Sequence, residues 1–163
     1  MGAPWHNRQN WTDVIESGKY IVPKDKSLFI GEPAKITGST SGEGVPAYDI
    51  FYSVSGYDDA TGVEACAGVS EDEVIRADNL PDGLRNIEFR HGRRDIDLCL
   101  HGDRTMLNKQ SGYTAKINEL VAPAPGGFQK WSTGKTVLGK VKEGPIEYNQ
   151  RGLIMIDTQN VAP

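Results

Sequence analysis

The chain has 163 residues, of which 37% are hydrophobic, and it includes 19 glycines and 9 prolines. This length suits about one domain with a single core, and the many turn-forming residues favour short strands over a helical bundle. The formal net charge of −4 argues against nucleic-acid binding, and no apolar run is long enough for a membrane span.

The first 30 residues are polar with interspersed aromatic side chains, and they lack the periodicity needed to build a core. Thr12 to Glu16 fit a capped helical turn that Gly18 would end. We therefore expect residues 1–30 to form an extended arm that lies on the protein's own domain or on a neighbour. Aromatic residues dominate interface hot spots, so the expected partner contacts of the arm are Trp5, Trp11 and Tyr20. The alternative is that these rings pack on the protein's own barrel.

From residue 31 to residue 163 the pattern is typical of short strands separated by turns. Alternation in residues 47–54 predicts a strand with Tyr52 and Val54 on one face. The clearest hairpin joins residues 84–90 to residues 95–100. Further strands are predicted at 34–37, 63–67, 73–77, 113–117, 128–131, 136–141 and 153–157. Strands of this length and spacing predict a mainly β domain over residues 31–163, an antiparallel sandwich or barrel.

Residues 129–141, QKWSTGKTVLGKV, contain GKT, the ending of a nucleotide-binding P-loop. The motif requires a glycine five residues before Gly134, and that position is Gln129. A helix should follow, but Gly139, Gly144 and Pro145 oppose one. The segment is instead predicted to be a turn at Gly134 that leads into a strand.

A metal site is one alternative, because Asp97, Cys99 and His101 alternate on one strand face with His91 across the turn. The polar face of a half-buried strand has the same residues, and Cys99 is more simply a small core residue. Cys66 and Cys99 are expected to be reduced thiols. We therefore predict no metal at these residues. The nearest match to a nucleophile elbow, residues 38–42, has Thr40 where serine is required.

Six sequence segments carry a resemblance to a known family: DIDLCL (95–100), PGGF (125–128), KWSTG (130–134), VLGKVKE (137–143), GLIMID (152–157) and, earlier, NLPDG (79–83). Their order resembles the capsid decoration, or head cement, proteins of tailed bacteriophages. The resemblance covers roughly residues 70–157. Residues 142–145, KEGP, depart from the usual phrase just before the final strand.

The resemblance implies a β-sandwich or barrel that binds the outside of an assembled capsid across junctions between major capsid subunits. It implies the major capsid protein as partner, a homo-oligomer with a trimer favoured, no enzyme activity and no cofactor. Location would be the capsid surface of the virion after synthesis in the host cytoplasm. Two alternatives stay open: a small metal-dependent β-barrel enzyme that uses His91, Asp97, Cys99 and His101, and a carbohydrate- or receptor-binding module with Tyr57 and Tyr113 as stacking platforms.

Overall fold

The computed structural model describes residues 13–23, 26–40, 51–74 and 95–158. These ranges form nine strands: β1 Val14–Ile21, β2 Pro33–Thr40, β3 Phe51–Gly56, β4 Gly68–Ser70, β5 Asp95–Leu107, β6 Leu120–Ala124, β7 Gly127–Lys130, β8 Gly139–Val141 and β9 Arg151–Asp157. The prediction of a mainly β protein is confirmed. Nowhere in the described ranges is there a helix long and apolar enough to cross a membrane.

The first strands close into a ring of hydrogen-bonded pairs, in the order β1, β3, β2, β4, β5 and back to β1. We call this the N-terminal ring; it uses β5 from Asp95 to His101. All its pairs are antiparallel except β1 with β3, which is parallel. Parallel pairing of Tyr20 with Tyr52 was not expected from the sequence.

The remaining strands form a second ring, in the order β5, β9, β8, β6, β7. A parallel bridge between Asn108, just after β5, and Phe128 on β7 completes it. We call this the C-terminal ring; it uses β5 from His101 to Leu107. The two rings therefore share one 13-residue strand.

Each ring has its own hydrophobic core, and β5 contributes to both. Ile96, Leu98 and Leu100 belong to the N-terminal core, whereas Cys99 and Met106 belong to the C-terminal core. Cys99 points to the face opposite Leu98 and Leu100, because successive side chains of a strand alternate, whereas Met106 lies further along β5 in the part that the C-terminal ring uses. The shared strand thus fixes where the two rings meet.

The helical turn predicted near residue 12 is wrong, because residues 14–21 form β1. Val14 pairs with His101 and Ile21 pairs with Asp95, so the local preference is overridden by pairing with a strand far along the chain. Gly18, expected to end a helix, has φ +73° and lies where the β1–β5 register shifts. A left-handed conformation suits glycine and lets the strand bulge there. Residues 1–12 of the expected arm lie outside the described residues.

The strands predicted at 34–37, 128–131 and 153–157 are confirmed within a few residues. The strand predicted at 95–100 forms the first part of β5, which continues to Leu107. Three other predictions are wrong or too long: residues 63–67 are a loop, residues 113–117 make only the bridge Ala115–Ile146, and the strand predicted at 136–141 begins at Gly139. Strand β6 was missed, because Pro123 within it is a poor strand former. Residues 47–50 and 75–94, including the predicted hairpin turn, lie outside the described residues.

Candidate partner-binding surface

The GKT segment has a structural role that joins the two rings. Gly134 has φ +96° and forms the predicted turn, and the chain continues without a helix. The Thr136 hydroxyl donates to the carbonyl oxygens of Val63 and Glu64, at 3.1 and 2.9 Å. The Thr136 amide donates to the Gly62 carbonyl at 2.7 Å. This segment therefore fastens the loop after β3 to the C-terminal ring.

That loop, residues 58–64, is organised by the carboxylate of Asp59. It accepts hydrogen bonds from the Thr61 hydroxyl at 2.6 Å and from the amides of Thr61, Val63 and Glu64. These bonds, that of the Thr61 hydroxyl first, lower the pKa of Asp59 to about 2. Gln129 of β7 adds a bond from its side-chain amide to the Ala60 carbonyl at 3.0 Å. The loop is thus held by its own carboxylate and by the C-terminal ring.

A groove of about 420 Å³ lies between β2 and the chain that leads into β4. Its lining consists of Lys35, Ile36, Glu64, Ala65, Cys66 and Ala67. The Lys35 ammonium bridges Asp58 at 3.1 Å and Glu64 at 2.9 Å, and these carboxylates raise the pKa of Lys35. Burial raises the pKa of the Cys66 thiol to about 11, so that group is neutral at pH 7. The groove is therefore apolar inside, with charges at its rim.

Strand β2 has an open side next to this groove. Along β2 the carbonyl groups point alternately to β4 and to β3: Ala67 donates to the Ala34 carbonyl and Tyr57 donates to the Pro33 carbonyl. Pairing with β4 ends at Ala34, while pairing with β3 continues to Thr40. Within the described ranges, the side of β2 facing away from β3 thus has no paired strand beyond Ala34. We call residues 36–39 on this side the β2 edge.

Large apolar side chains are exposed near the same end of the N-terminal ring. Ile36 is 44% exposed and Tyr52, on the adjacent strand β3, is 45% exposed. The ring of Tyr52 lies 6.2 Å from that of Tyr20. The remaining exposed large apolar residues are spread over both rings: Ile15, Phe29, Ile30, Val63, Ile117, Leu120 and Tyr148.

Of the three aromatic residues expected to contact a partner, only Tyr20 lies in the described part of the chain. Tyr20 is 6% exposed and its hydroxyl donates to Glu16 at 2.9 Å. Burial, with the bond to Glu16, raises its pKa to about 12. Tyr20 is thus packed within the protein's own ring, the arrangement that the alternative expected. Its contact with a partner stays a prediction, and Trp5 and Trp11 lie outside the described residues.

The residues of the metal hypothesis are not arranged as a cluster in the described part of the chain. Cys99 is fully buried in the C-terminal core, where burial raises its pKa to about 11. His101 lies 3.5 Å from the carboxylate of Asp157. Among the described residues no group of three or more His, Cys, Asp or Glu side chains comes together to hold a metal. His91 lies outside those residues.

The two tyrosines expected as carbohydrate platforms are buried, so that assignment is wrong. Tyr57 is 2% exposed and its hydroxyl donates to the Glu64 carbonyl at 2.8 Å. Tyr113 is 7% exposed and its hydroxyl donates to Glu119 at 3.2 Å. Their rings fill core space, since a buried tyrosine with a bonded hydroxyl is a stable core residue.

The groove and the β2 edge were missed from the sequence. Lys35 and Glu64 are 29 residues apart, and only the strand register brings them together. The one available signal was Ile36, a large apolar residue between Lys35 and Thr37 in a strand whose remaining residues are small or polar.

Comparisons with known proteins give little support for any identity. No protein-family model matches the chain, and no curated protein matches it. Among solved structures, the chain is similar to the N base of the head fiber protein gp8.5 of bacteriophage phi29, with 11% identity and a TM-score of 0.48. The match covers 90% of this chain and 95% of that chain. A likeness at this level carries no argument about function.

Proposed function

We propose that this protein is a structural virion protein that binds the outer surface of an assembled phage capsid and stabilises junctions between major capsid subunits. The observation that carries the proposal is the resemblance of residues 70–157 to capsid decoration proteins. In the structure, the phrases that carry most of this resemblance fall on β7, β8 and β9, which belong to the C-terminal ring. Four of the six segments thus lie in the C-terminal ring, whereas residues 95–100 pair in the N-terminal ring and residues 79–83 lie outside the described residues.

The proposed mechanism is stabilisation by binding. A protein that binds the assembled shell and not its free subunits lowers the free energy of the assembled state. No catalytic step and no cofactor are needed. We propose the major capsid protein as the partner, a homo-oligomer with a trimer favoured, and a place on the capsid surface of the virion.

Co-sedimentation tests this function. We expect the purified protein to sediment with assembled shells and to stay in the supernatant with free capsid subunits. The shells should then resist heat or denaturant better than undecorated shells. Binding to free subunits with the same affinity would contradict the proposal, as would stoichiometric zinc, iron or manganese in the purified protein, which would favour the enzyme alternative.

The structure shows where a deletion that tests the N-terminal arm should end. Strand β1 begins at Val14, and the carboxylate of Asp13 lies 3.4 Å from the guanidinium of Arg104. A deletion should therefore end at residue 12, because a deletion to residue 20 would remove a strand of the N-terminal ring. We expect deletion of residues 1–12, or replacement of Trp5 and Trp11 by alanine, to weaken co-sedimentation without changing the unfolding transition. Equal binding of full-length and truncated protein would contradict the role of the arm.

A further inference from the structure

We propose that the β2 edge and its groove bind an extended, positively charged peptide segment, which pairs with β2 as an added strand. The identification of that segment as part of the major capsid protein rests on the proposed function. The binding mode itself rests on the geometry of β2. Separate experiments test the binding mode and the identity of the bound segment.

The first support is the direction of the backbone groups. The carbonyl of Ala34 points to the β4 side, so the alternation of a strand directs the amide and carbonyl of Ile36 to that side as well. Pairing with β4 has ended there, and Ile36 lines the groove. The β2–β3 register shifts between Ile36 and Gly38, so this direction is assigned to the backbone of Ile36 alone. Unpaired strand edges are templates for addition of another strand, and main-chain bonds of this kind supply affinity in many peptide-binding domains.

The second support is the shape and polarity of the groove. Ile36 is 44% exposed, and the alanines at positions 65 and 67 provide a small apolar lining. A volume of about 420 Å³ falls within the range of ordinary ligand pockets. An extended segment on the β2 edge places every second side chain on the groove side, so the bound segment should carry an apolar residue there.

The third support is the charge of the rim, which selects a cationic segment. The single ammonium of Lys35 lies between the carboxylates of Asp58 and Glu64, so the rim has an excess of negative charge. Asp58 and Glu64 keep 72% and 47% of their side-chain surfaces exposed, so both can still attract a further cation. Lysine or arginine residues flanking the apolar residue would therefore be favoured.

The same charges argue against a second copy of this chain as the occupant. Pairing of two β2 edges around a twofold axis would bring the rim carboxylates of the two copies together, at a cost from like-charge repulsion. Residues 37–39 are Thr, Gly and Ser, which would bury little apolar surface in such a dimer. A different, basic partner suits the edge better.

A cysteine reporter in the groove tests the proposal. Cys66→Ser removes the native groove thiol, and Ala65→Cys then adds an exposed one at the neighbouring position; Cys99 is fully buried. The rate of labelling by iodoacetamide is measured with a synthetic peptide of alternating lysine and valine, and with the matched glutamate–valine peptide. We expect the lysine–valine peptide to slow labelling severalfold and the glutamate–valine peptide to leave it unchanged. A control thiol made by Ser132→Cys, on an exposed turn of the other ring, should not respond to either peptide.

Three results would overturn the proposal. They are equal labelling with and without the lysine–valine peptide, a reporter that is already protected in the protein alone, and protection that rises with protein concentration. The second would mean that the chain covers its own edge, and the third that a second copy does.

The pair Ile36→Pro and Ile36→Thr provides a further check, because proline removes the outward amide while threonine keeps it. Both variants should fold with normal unfolding midpoints, and only Ile36→Thr should keep peptide protection.

Assembled shells then separate this inference from the proposed function. Protection of the reporter by shells supports both. Shells that bind without protecting the reporter would show that the β2 edge is not the capsid contact, while the proposed function stands. Peptide protection without any shell binding would leave the edge as a peptide site and remove the capsid function.

Discussion

The two rings are built in different ways, although they share β5. In the C-terminal ring, β6 and β7 are joined by a two-residue turn, and glycines allow very close approach of strands. A Cβ atom at Gly127 would meet the Leu107 carbonyl oxygen, and one at Gly139 would meet that of Met155. In the N-terminal ring, β1 pairs with a strand that begins more than 70 residues later, and in the described part of the chain no strand pairs with one side of β2 beyond Ala34. The two rings thus differ in how they close: strands of the C-terminal ring approach closely at Gly127 and Gly139, whereas among the described residues of the N-terminal ring the backbone of Ile36 has no strand paired on its groove side.

The largest expected effect comes from a matched pair of core changes, one in each ring. Leu28 and Leu138 are both fully buried, Leu28 in the N-terminal core and Leu138 in the C-terminal core. We expect Leu28→Ala and Leu138→Ala each to lower the free energy of unfolding by about 2–5 kcal/mol. Because β5 contributes to both cores, both variants should still unfold in one transition. Hydrogen exchange of β3 and β9 amides measures this, and a loss of protection confined to the substituted ring would show that the rings unfold independently.

A pair of glycine substitutions tests whether close packing distinguishes the rings. Gly139→Ala places a methyl group against the backbone of β9, and we expect a loss of about 1–3 kcal/mol in urea unfolding. Gly38→Ala in β2 meets nothing within 4 Å and should change stability by less than about 0.5 kcal/mol. Equal losses for the two variants would contradict the contrast between the rings.

The bond between the rings is tested at Thr136. Thr136→Val removes the hydroxyl that donates to Val63 and Glu64, and we expect a loss of about 1 kcal/mol with faster hydrogen exchange in residues 61–64. Thr133→Val makes the same chemical change at an exposed position three residues earlier and should leave both unchanged. If the two variants behave alike, the GKT segment does not fasten the loop.

The smallest expected effect is a pH dependence in the loop that Asp59 organises. The pKa of Asp59 is lowered from 3.8 to about 2, so the folded state favours the ionised carboxylate. Its stabilising contribution is complete above about pH 4 and is lost as the pH falls through 2. Amides of Thr61, Val63 and Glu64 should lose exchange protection in that window, and Asp59→Asn should start with lower protection and show little further change. If Asp59→Asn loses exchange protection between pH 4 and 2 in the same way as the wild-type protein, a group other than Asp59 determines the pH dependence of the loop.

Sequence reasoning was most successful where structure is local. The strands at 128–131 and 153–157 and the turn at Gly134 follow from alternation and glycine placement. The rejection of a phosphate loop on spacing also agrees with the structure, since Thr136 is bonded to a neighbouring loop. These features depend on residues close together in the chain, and their patterns are visible in a single sequence.

Features that depend on distant pairing were not predictable in this way. Two predictions were wrong for this reason, the helical turn near Thr12 and the exposure of Tyr57 and Tyr113. Residues 14–21 pair with a strand far along the chain, and the two tyrosines are buried by the packing of a whole ring. The groove shows the same limit, because Lys35 and Glu64 meet only when β2 and the loop before β4 are aligned. The candidate surface is therefore formed by strand pairing in the N-terminal ring, and no local sequence motif predicts it.

The pairing of His101 has a practical consequence for attaching other molecules. Val14 at the start of β1 and Asp157 at the end of β9 pair with His101 from its two sides. Strand spacing places these two positions only about 10 Å apart. A fluorophore or fusion partner joined just before Asp13 or just after Thr158 would therefore be attached at nearly the same point of the molecule, and the contacts of Asp13 with Arg104 and of Thr158 with Leu100 would be kept. A short linker between these positions, with new chain ends opened between two strands, would also give a circularly permuted chain that keeps the described strand pairs.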